Sequence, residues 1–174
     1  MNKRIGIAGP TYVERSPSIS AQRTVNLYPH VVRHDDRITD IVLYATPGFT
    51  SFVDLGTAAR IRGLLNRSDG NLIAASGTGV YSVTTGGVAT LQTGAIGLDS
   101  SSPVHMYENL GGQIIIIVRG TGLGYILSGS TVTQIADADF PSAVQSEFLD
   151  QYFFALASTN QRIYFSALND GTTW

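Results

Sequence analysis

Arg60-Ile-Arg-Gly-Leu-Leu65, Asn71-Leu-Ile-Ala-Ala75, Gly79-Val-Tyr-Ser-Val83 and Val88-Ala-Thr-Leu91 follow one another as four short apolar runs. Each is too short for a helix and rich in residues that fit a pleated surface. The breaks between them hold Asp69-Gly70 and Gly86-Gly87, turn pairs that tolerate positive φ. Runs of this kind closed by such turns read as four antiparallel strands joined hairpin to hairpin.

The same order returns downstream. Val104-His-Met-Tyr107, Gln113-Ile-Ile-Ile-Ile-Val118, Gly124-Tyr-Ile-Leu127 and Thr131-Val-Thr-Gln-Ile135 make a second unit, with Gly111-Gly112 and Gly129-Ser130 in its turns. A third begins with Val144 to Leu149 and continues through Tyr152-Phe-Phe-Ala-Leu156 and Arg162-Ile-Tyr-Phe165. It reaches Asp170-Gly-Thr-Thr-Trp174 where a fourth strand is expected to start. Tyr81, Tyr125 and Tyr164 mark the third run of each unit and stand 44 and 39 residues apart. Four strands repeated every ~40–45 residues is the pattern of β-propeller blades. A sandwich of hairpins gives similar strand spacing without radial repetition; the tandem return of equivalent strands favours the propeller. The second run of each unit is the most apolar, as expected of a strand covered on both faces by neighbouring blades.

The expected fold is therefore all-β: antiparallel four-stranded blades of a β-propeller, about three and incomplete, preceded by an extended N-terminal arm. The blades occupy 59–174, in units of about 60–92, 103–136 and 143–174. The arm, 1–58, holds four of the six prolines (Pro10, Pro17, Pro29 and Pro47) and one candidate strand, Asp40 to Tyr44. Three blades are fewer than the ~4 at which propeller edges begin to meet. The chain is expected to be a fragment, to be completed by another chain, or to form an open arc, and the break at Trp174 within a unit favours a fragment.

Composition narrows the function classes. With 43% hydrophobic and 14% charged residues the chain can bury a core and does not read as disordered. It has no cysteine, which excludes disulfides and thiolate metal sites. The net charge is −2 and the arginines are scattered singly, so no basic stripe follows a phosphate backbone. The run Ile114 to Val118 is the longest apolar one and falls far below the ~20 residues needed to span a bilayer. Lys3 and Arg4 precede a stretch, Ile5 to Pro10, too short and Gly-rich for a signal-peptide core. A soluble, unprocessed protein with no membrane partner is expected.

No motif carries convincing chemistry. Gly120-Thr-Gly-Leu-Gly124 loosely resembles a phosphate-cradling loop, but a strand rather than a helix N-terminus follows it, so it reads as a blade turn. His30, His34 and His105 form no ligand pair. Asp137-Ala-Asp139 places two carboxylates on one side of an extended segment, short of a calcium loop's ligand count, and reads as a solvated inter-blade loop. Glu147, Asp150 and Asp170 sit in separate loops, and there is no G-x-S-x-G elbow. Asn66-Arg-Ser68 is a formal glycosylation sequon with meaning only for a protein secreted by a eukaryote. No catalytic residue, cofactor or metal is expected, and the protein reads as a non-enzyme.

The remaining unusual stretch is Arg15-Ser-Pro-Ser-Ile-Ser-Ala-Gln-Arg-Thr-Val-Asn-Leu-Tyr-Pro29. It reads either as an ordinary surface arm or as a docking segment. Low charge, a tyrosine and two arginines suit an anchor that orders against a neighbour, which makes Arg15, Arg23, Asn26, Leu27, Tyr28 and Pro29 the candidate interface residues.

The same stretch, and most specifically Gln22-Arg-Thr-Val-Asn-Leu-Tyr-Pro29, resembles the packaged-DNA stabilisation proteins of lambdoid short-tailed bacteriophages and their prophage relatives. Ala45-Thr-Pro-Gly-Phe49, Arg60-Ile-Arg-Gly-Leu64, Phe148-Leu-Asp-Gln-Tyr-Phe-Phe154 and Arg162-Ile-Tyr-Phe165 extend the resemblance over nearly the whole chain. It implies a propeller-based tail nozzle or hub, a ring of copies below the portal and adaptor that retains packaged DNA and opens for ejection. The implied partners are other copies of the chain, the adaptor and portal, and distal tail proteins. DNA would pass through the channel without specific binding. The implied location is the virion tail, assembled in the cytoplasm of a bacterial host. Members of that family are much longer than this chain. The alternative reading is a β-propeller module that binds a glycan or peptide.

Overall fold

The computed structural model describes residues 27–33, 39–97 and 101–174; for 27–33 and 39–43 it describes the backbone alone. The chain divides into two compact units, Met1–Thr50 and Ser51–Trp174. Within the first, β1 (Leu27–Arg33) and β2 (Thr39–Ala45) form an antiparallel pair, with Pro29 opposite Leu43. Among the described residues, the segment expected to carry one strand thus carries two. Proline was the misleading signal: it lacks an N–H for a ladder, but in a two-stranded sheet each strand is an edge with one side free.

The second unit holds three antiparallel sheets, each a meander in chain order. The first comprises β3 (Ile61–Asn66), β4 (Leu72–Ser76), β5 (Gly79–Val83) and β6 (Ala89–Leu91). The second comprises β7 (Val104–Glu108), β8 (Ile114–Val118), β9 (Leu123–Ser128) and β10 (Thr131–Gln134). The third has three strands, β11 (Ala143–Leu149), β12 (Tyr152–Ala157) and β13 (Ile163–Phe165). Gly70, Gly87, Gly112 and Gly129, one in each expected turn, all take positive φ, so the turn chemistry sets these hairpins.

The sheets stack face on face, and β8 shows why. Its five residues are entirely buried, and their side chains alternate between two cores. Ile114, Ile116 and Val118 join Ile73, Ala75 and Val80 of the first sheet, together with Met106, Tyr125 and Leu127. Ile115 and Ile117 join Ile126 of their own sheet and Ala143, Phe153 and Ala155 of the third. An unbroken β-branched run is what a strand apolar on both faces requires. The first strands of the sheets also converge: a Cβ on Gly63 of β3 would lie 2.6 Å from the Val104 carbonyl oxygen of β7. Stacked meanders whose first strands converge are the blades of a β-propeller.

Two expectations change. Residues 170–174 form no fourth strand beside β13. Asp170 accepts the Thr172 amide (2.9 Å) and hydroxyl (2.7 Å), which turns the chain back across the second core. Trp174 then meets the Phe140 ring edge-on at 4.8 Å. Secondly, β12 is not covered on both faces: Phe153 and Ala155 are buried, while Leu156 on its other face is exposed.

Candidate interaction surfaces

The uncovered face of the third sheet is built from cross-strand rows. Leu149 lies opposite Tyr152, Glu147 opposite Phe154, Phe154 opposite Phe165, and Leu156 opposite Ile163. The Phe165 ring packs edge-on against Tyr152 at 5.9 Å and lies 6.5 Å from Phe154, so the rings support one another in a fixed platform. Leu149 is 60% exposed, Ile163 67% and Phe165 62%. The equivalent row of the second sheet, Ile115 opposite Ile126, is covered by the third sheet and is 0% and 2% exposed. Among the described residues of Ser51–Trp174, the third sheet therefore carries the apolar pattern of a covered face without a cover.

The far side of the first sheet has a similar row, Leu64, Ala74, Tyr81 and Leu91, in register across its four strands. Leu64 and Leu91 are exposed, but Ala74 and the nearby Val83 are buried. Part of the preceding segment is tied to this sheet: Ser76 Oγ lies 3.1 Å from Thr57 Oγ1 and donates to the Ala59 carbonyl at 3.0 Å.

Polar groups bind the sheets to each other. Arg67, in the β3–β4 turn, donates from Nε to Glu108 of β7 at 3.1 Å, and the Ser68 amide donates to the same carboxylate at 2.7 Å. Buried Arg62 donates to the carbonyls of Ser102 and Gly77. The Tyr107 phenol is hydrogen-bonded to Glu147, which raises its pKa, with burial adding to the shift. Ser146 Oγ is buried without a hydrogen-bond partner, a lone hydroxyl at the face between the second and third sheets.

The motifs weighed for chemistry have structural roles. The turn through Gly120–Gly122 leads directly into β9, which already holds Gly124, and at Gly122 a Cβ would strike Ser142, so close approach of the third sheet explains that glycine. Asp137 accepts the amides of Asp139 and Trp174, both at 2.9 Å, which hold its pKa below the usual value. Asp170 is lowered by the Thr172 hydroxyl and amide. Glu147 lies within strand β11 rather than in a loop. Among the described residues no group of three His, Cys, Asp or Glu could hold a metal, and no helix is long and apolar enough to cross a membrane.

Of the six candidate interface residues, Leu27, Tyr28 and Pro29 lie in β1, while Arg15, Arg23 and Asn26 lie outside the described residues. The apolar face of the third sheet was not singled out from sequence. The signal was present: Leu156, Ile163 and Phe165 alternate with core positions, as on a strand apolar on both faces.

The fold places this chain among β-propellers. No protein-family model matches it, and no curated protein matches it. Similar solved structures include virginiamycin B lyase from Staphylococcus aureus, at 14% identity and a TM-score of 0.45, covering 84% of this chain and 50% of that one. A streptogramin B lyase matches at 13% identity and a TM-score of 0.43, over 84% of this chain and 49% of that one. A protein of unknown function from Bacteroides caccae matches at 14% identity and a TM-score of 0.38, over 77% and 53%. The chain thus spans about half the length of the solved structures it resembles.

Proposed function

We propose that this chain is a β-propeller module that works through non-covalent protein contacts, as a structural component of a short-tailed bacteriophage tail. The observation that carries the contact role is the exposed platform of Leu149, Ile163 and Phe165, since contiguous apolar surface of this kind marks an interaction site. The tail assignment rests on the resemblance of Gln22 to Pro29 and the downstream motifs to packaged-DNA stabilisation proteins. In that role copies of the protein meet the adaptor, the portal and distal tail proteins, and DNA passes without being held. A net charge of −2 without a basic stripe suits a wall along which DNA slides. The role needs no catalysis, and it agrees with Asp137 and Asp170 serving as turn acceptors. Antibodies raised against the purified chain and applied to intact virions test the assignment. Gold label at the tail is the expected result; label absent from the particles overturns it.

A second reading, a propeller module that binds a glycan or peptide, is favoured by one feature. A shallow groove of about 440 Å³ at the β12–β13 hairpin is lined by Leu156, Ala157, Ser158, Thr159, Asn160, Gln161 and Ile163. Uncharged hydroxyl and amide groups beside apolar ones suit such ligands. A glycan array and a peptide library probed with the chain separate the readings.

A further inference from the structure

We infer that the outer edge of β13 takes up an extended segment of a different protein chain, added antiparallel as the fourth strand of the third sheet. The inference rests on the contact role proposed above and names the groups that make the contact and the kind of segment that fits them.

The first two sheets show the place. In each, a fourth strand lies antiparallel to the third, β6 beside β5 and β10 beside β9, so the third strand has a neighbour on both sides. β13 is the third strand of its sheet and, among the described residues, has a neighbour only in β12. Its ends show which way its backbone points. The Arg162 carbonyl accepts the Ala157 amide at 3.1 Å, and the Ser166 amide donates to the Phe153 carbonyl at 2.9 Å. Bonding alternates along an antiparallel strand, so Arg162, Tyr164 and Ser166 face β12, while the N–H and C=O groups of Ile163 and Phe165 point away from the sheet. The next outward group, the Ala167 amide, donates to the Thr173 carbonyl at 2.8 Å, which bounds the free edge at that end. Four outward backbone groups with no lysine, proline or bulge guarding them are a template for one more strand.

The edge also specifies what fits it. One residue of the segment lies opposite Phe165 and another opposite Ile163, and each exchanges two hydrogen bonds with its partner. Their side chains fall on the exposed face, beside Phe165 and Ile163, which are 62% and 67% exposed, so both positions are apolar. Antiparallel entry then sets the order of charge. The segment begins near Asp170, in the turn that follows β13, and ends beside exposed Arg162, which precedes it. Asp137, also at the Arg162 end, is already bound by two amides. A basic residue ahead of the apolar pair and an acidic one behind it therefore complement the edge. None of the chain's 11 basic residues opens a run in the order basic, apolar, any, apolar, acidic, so the segment comes from a different chain. A strand of three residues holds one short stretch, which suits the tail or linker of a partner protein rather than a packed domain.

A blocked peptide containing Lys-Val-Thr-Val-Glu, titrated into the isotope-labelled chain and followed by its amide resonances, tests this. The amides of Ile163 and Phe165 are expected to shift and to gain protection from exchange. Methylating the backbone nitrogen of either valine, which faces the edge, is expected to weaken binding at least about tenfold. Methylating that of the threonine between them, which faces away, is expected to leave binding within about twofold. The charge-reversed peptide Glu-Val-Thr-Val-Lys is expected to bind about three- to tenfold more weakly, and tighter binding of it overturns the antiparallel placement. Ile163→Pro removes one outward N–H and is expected to abolish binding. Should that variant misfold, the methylated peptides give the same test with the protein unchanged. No shift with up to about 1 mM peptide overturns the inference, as do three methylated peptides that bind alike. Light scattering in which the chain alone doubles its 18.6 kDa mass, and Ile163→Pro returns it to the monomer, puts a second copy at the edge and overturns the assignment to a different chain. Virion labelling is independent of these experiments: peptide capture with unlabelled virions removes the tail assignment and leaves the edge, and labelled tails without capture do the reverse.

Discussion

At the scale of single residues, packing between sheets makes some glycines indispensable and leaves others free. Gly63 lets β3 approach β7 until a Cβ would sit 2.6 Å from the Val104 carbonyl oxygen and 3.2 Å from Met106 Cε. The first contact is backbone and cannot swing aside. Gly63→Ala is expected to cost about 1–3 kcal/mol, because strand β3 must shift away from its neighbour. Gly86 has no positive φ, and a Cβ there would meet nothing nearer than Thr84 Oγ1 at 3.8 Å. Gly86→Ala is expected to be neutral or to stabilise by up to about 1 kcal/mol through the unfolded chain. Urea unfolding of the two variants in parallel checks the contrast.

Asp137 supports a second prediction at this scale, because the chain has a single tryptophan and Asp137 holds it. Its carboxylate accepts the Asp139 and Trp174 amides, which depress its pKa below 3.8 in the folded state. A carboxylate with a depressed folded pKa contributes stability above its unfolded pKa, and the contribution is lost as pH falls through the folded value. Trp174 fluorescence is therefore expected to stay constant above about pH 4 and to shift to the red below it. Asp170, lowered by Thr172, titrates in the same direction. Asp137→Ala separates the two, since it is expected to give the red-shifted spectrum at neutral pH. An unchanged spectrum in that variant would show that the Phe140 contact and the indole N–H bond to the Gly171 carbonyl fix the indole without Asp137.

At the scale of elements, the strands differ in how they open. β8 has a strand on each side and a sheet on each face, whereas β13 is an edge strand of three residues with Ile163 and Phe165 in solvent. Hydrogen exchange by mass spectrometry is expected to find the β8 amides exchanging only through global unfolding, with β13 exchanging orders of magnitude faster. Equal protection would show that β13 is covered in solution, so the measurement belongs at concentrations where the protein is monomeric.

This contrast also explains what was legible in the sequence. The blade order could be read because each expected turn has a glycine at positive φ, at Gly70, Gly87, Gly112 and Gly129, and each third strand carries its tyrosine on the same face of its sheet. Tyr125 and Tyr164 both face the preceding sheet, and Tyr81 occupies the corresponding face of the first. β1 was obscured by Pro29, and the return of 170–174 by Asp170, whose hydrogen bonds to Thr172 lie outside the alternation that signals a strand. The exposed platform was hidden for another reason. Periodicity reports that a face is apolar, and burial depends on a neighbour that the period alone does not name.

At the scale of the whole molecule, charge decides how the protein meets nucleic acid. Arg62 and Arg67 are committed to bonds between sheets. Arg60, Arg119 and Arg162 are exposed, one per sheet, next to β3, β8 and β13. The strand directions put all three at one end of the blades, where a basic rim for a phosphate backbone would have to form. That end also carries Asp137 and Asp139, which offset two of the three arginines. The opposite end has Asp69, Glu108, Asp150 and Asp170 against Arg67 alone. Among the described side chains of Ser51–Trp174, neither end presents enough uncompensated arginines to neutralise several phosphates together, so this unit lacks the counterion release that drives non-specific binding. A gel-shift assay with duplex DNA is therefore expected to show no retardation at up to about 100 µM protein in ~50 mM salt, where a basic surface would bind strongly. Retardation that weakens steeply as salt rises would instead mark the arginine end as a phosphate-binding rim. In that case Arg119→Glu should abolish it, and a wall that lets DNA slide freely would no longer describe this protein.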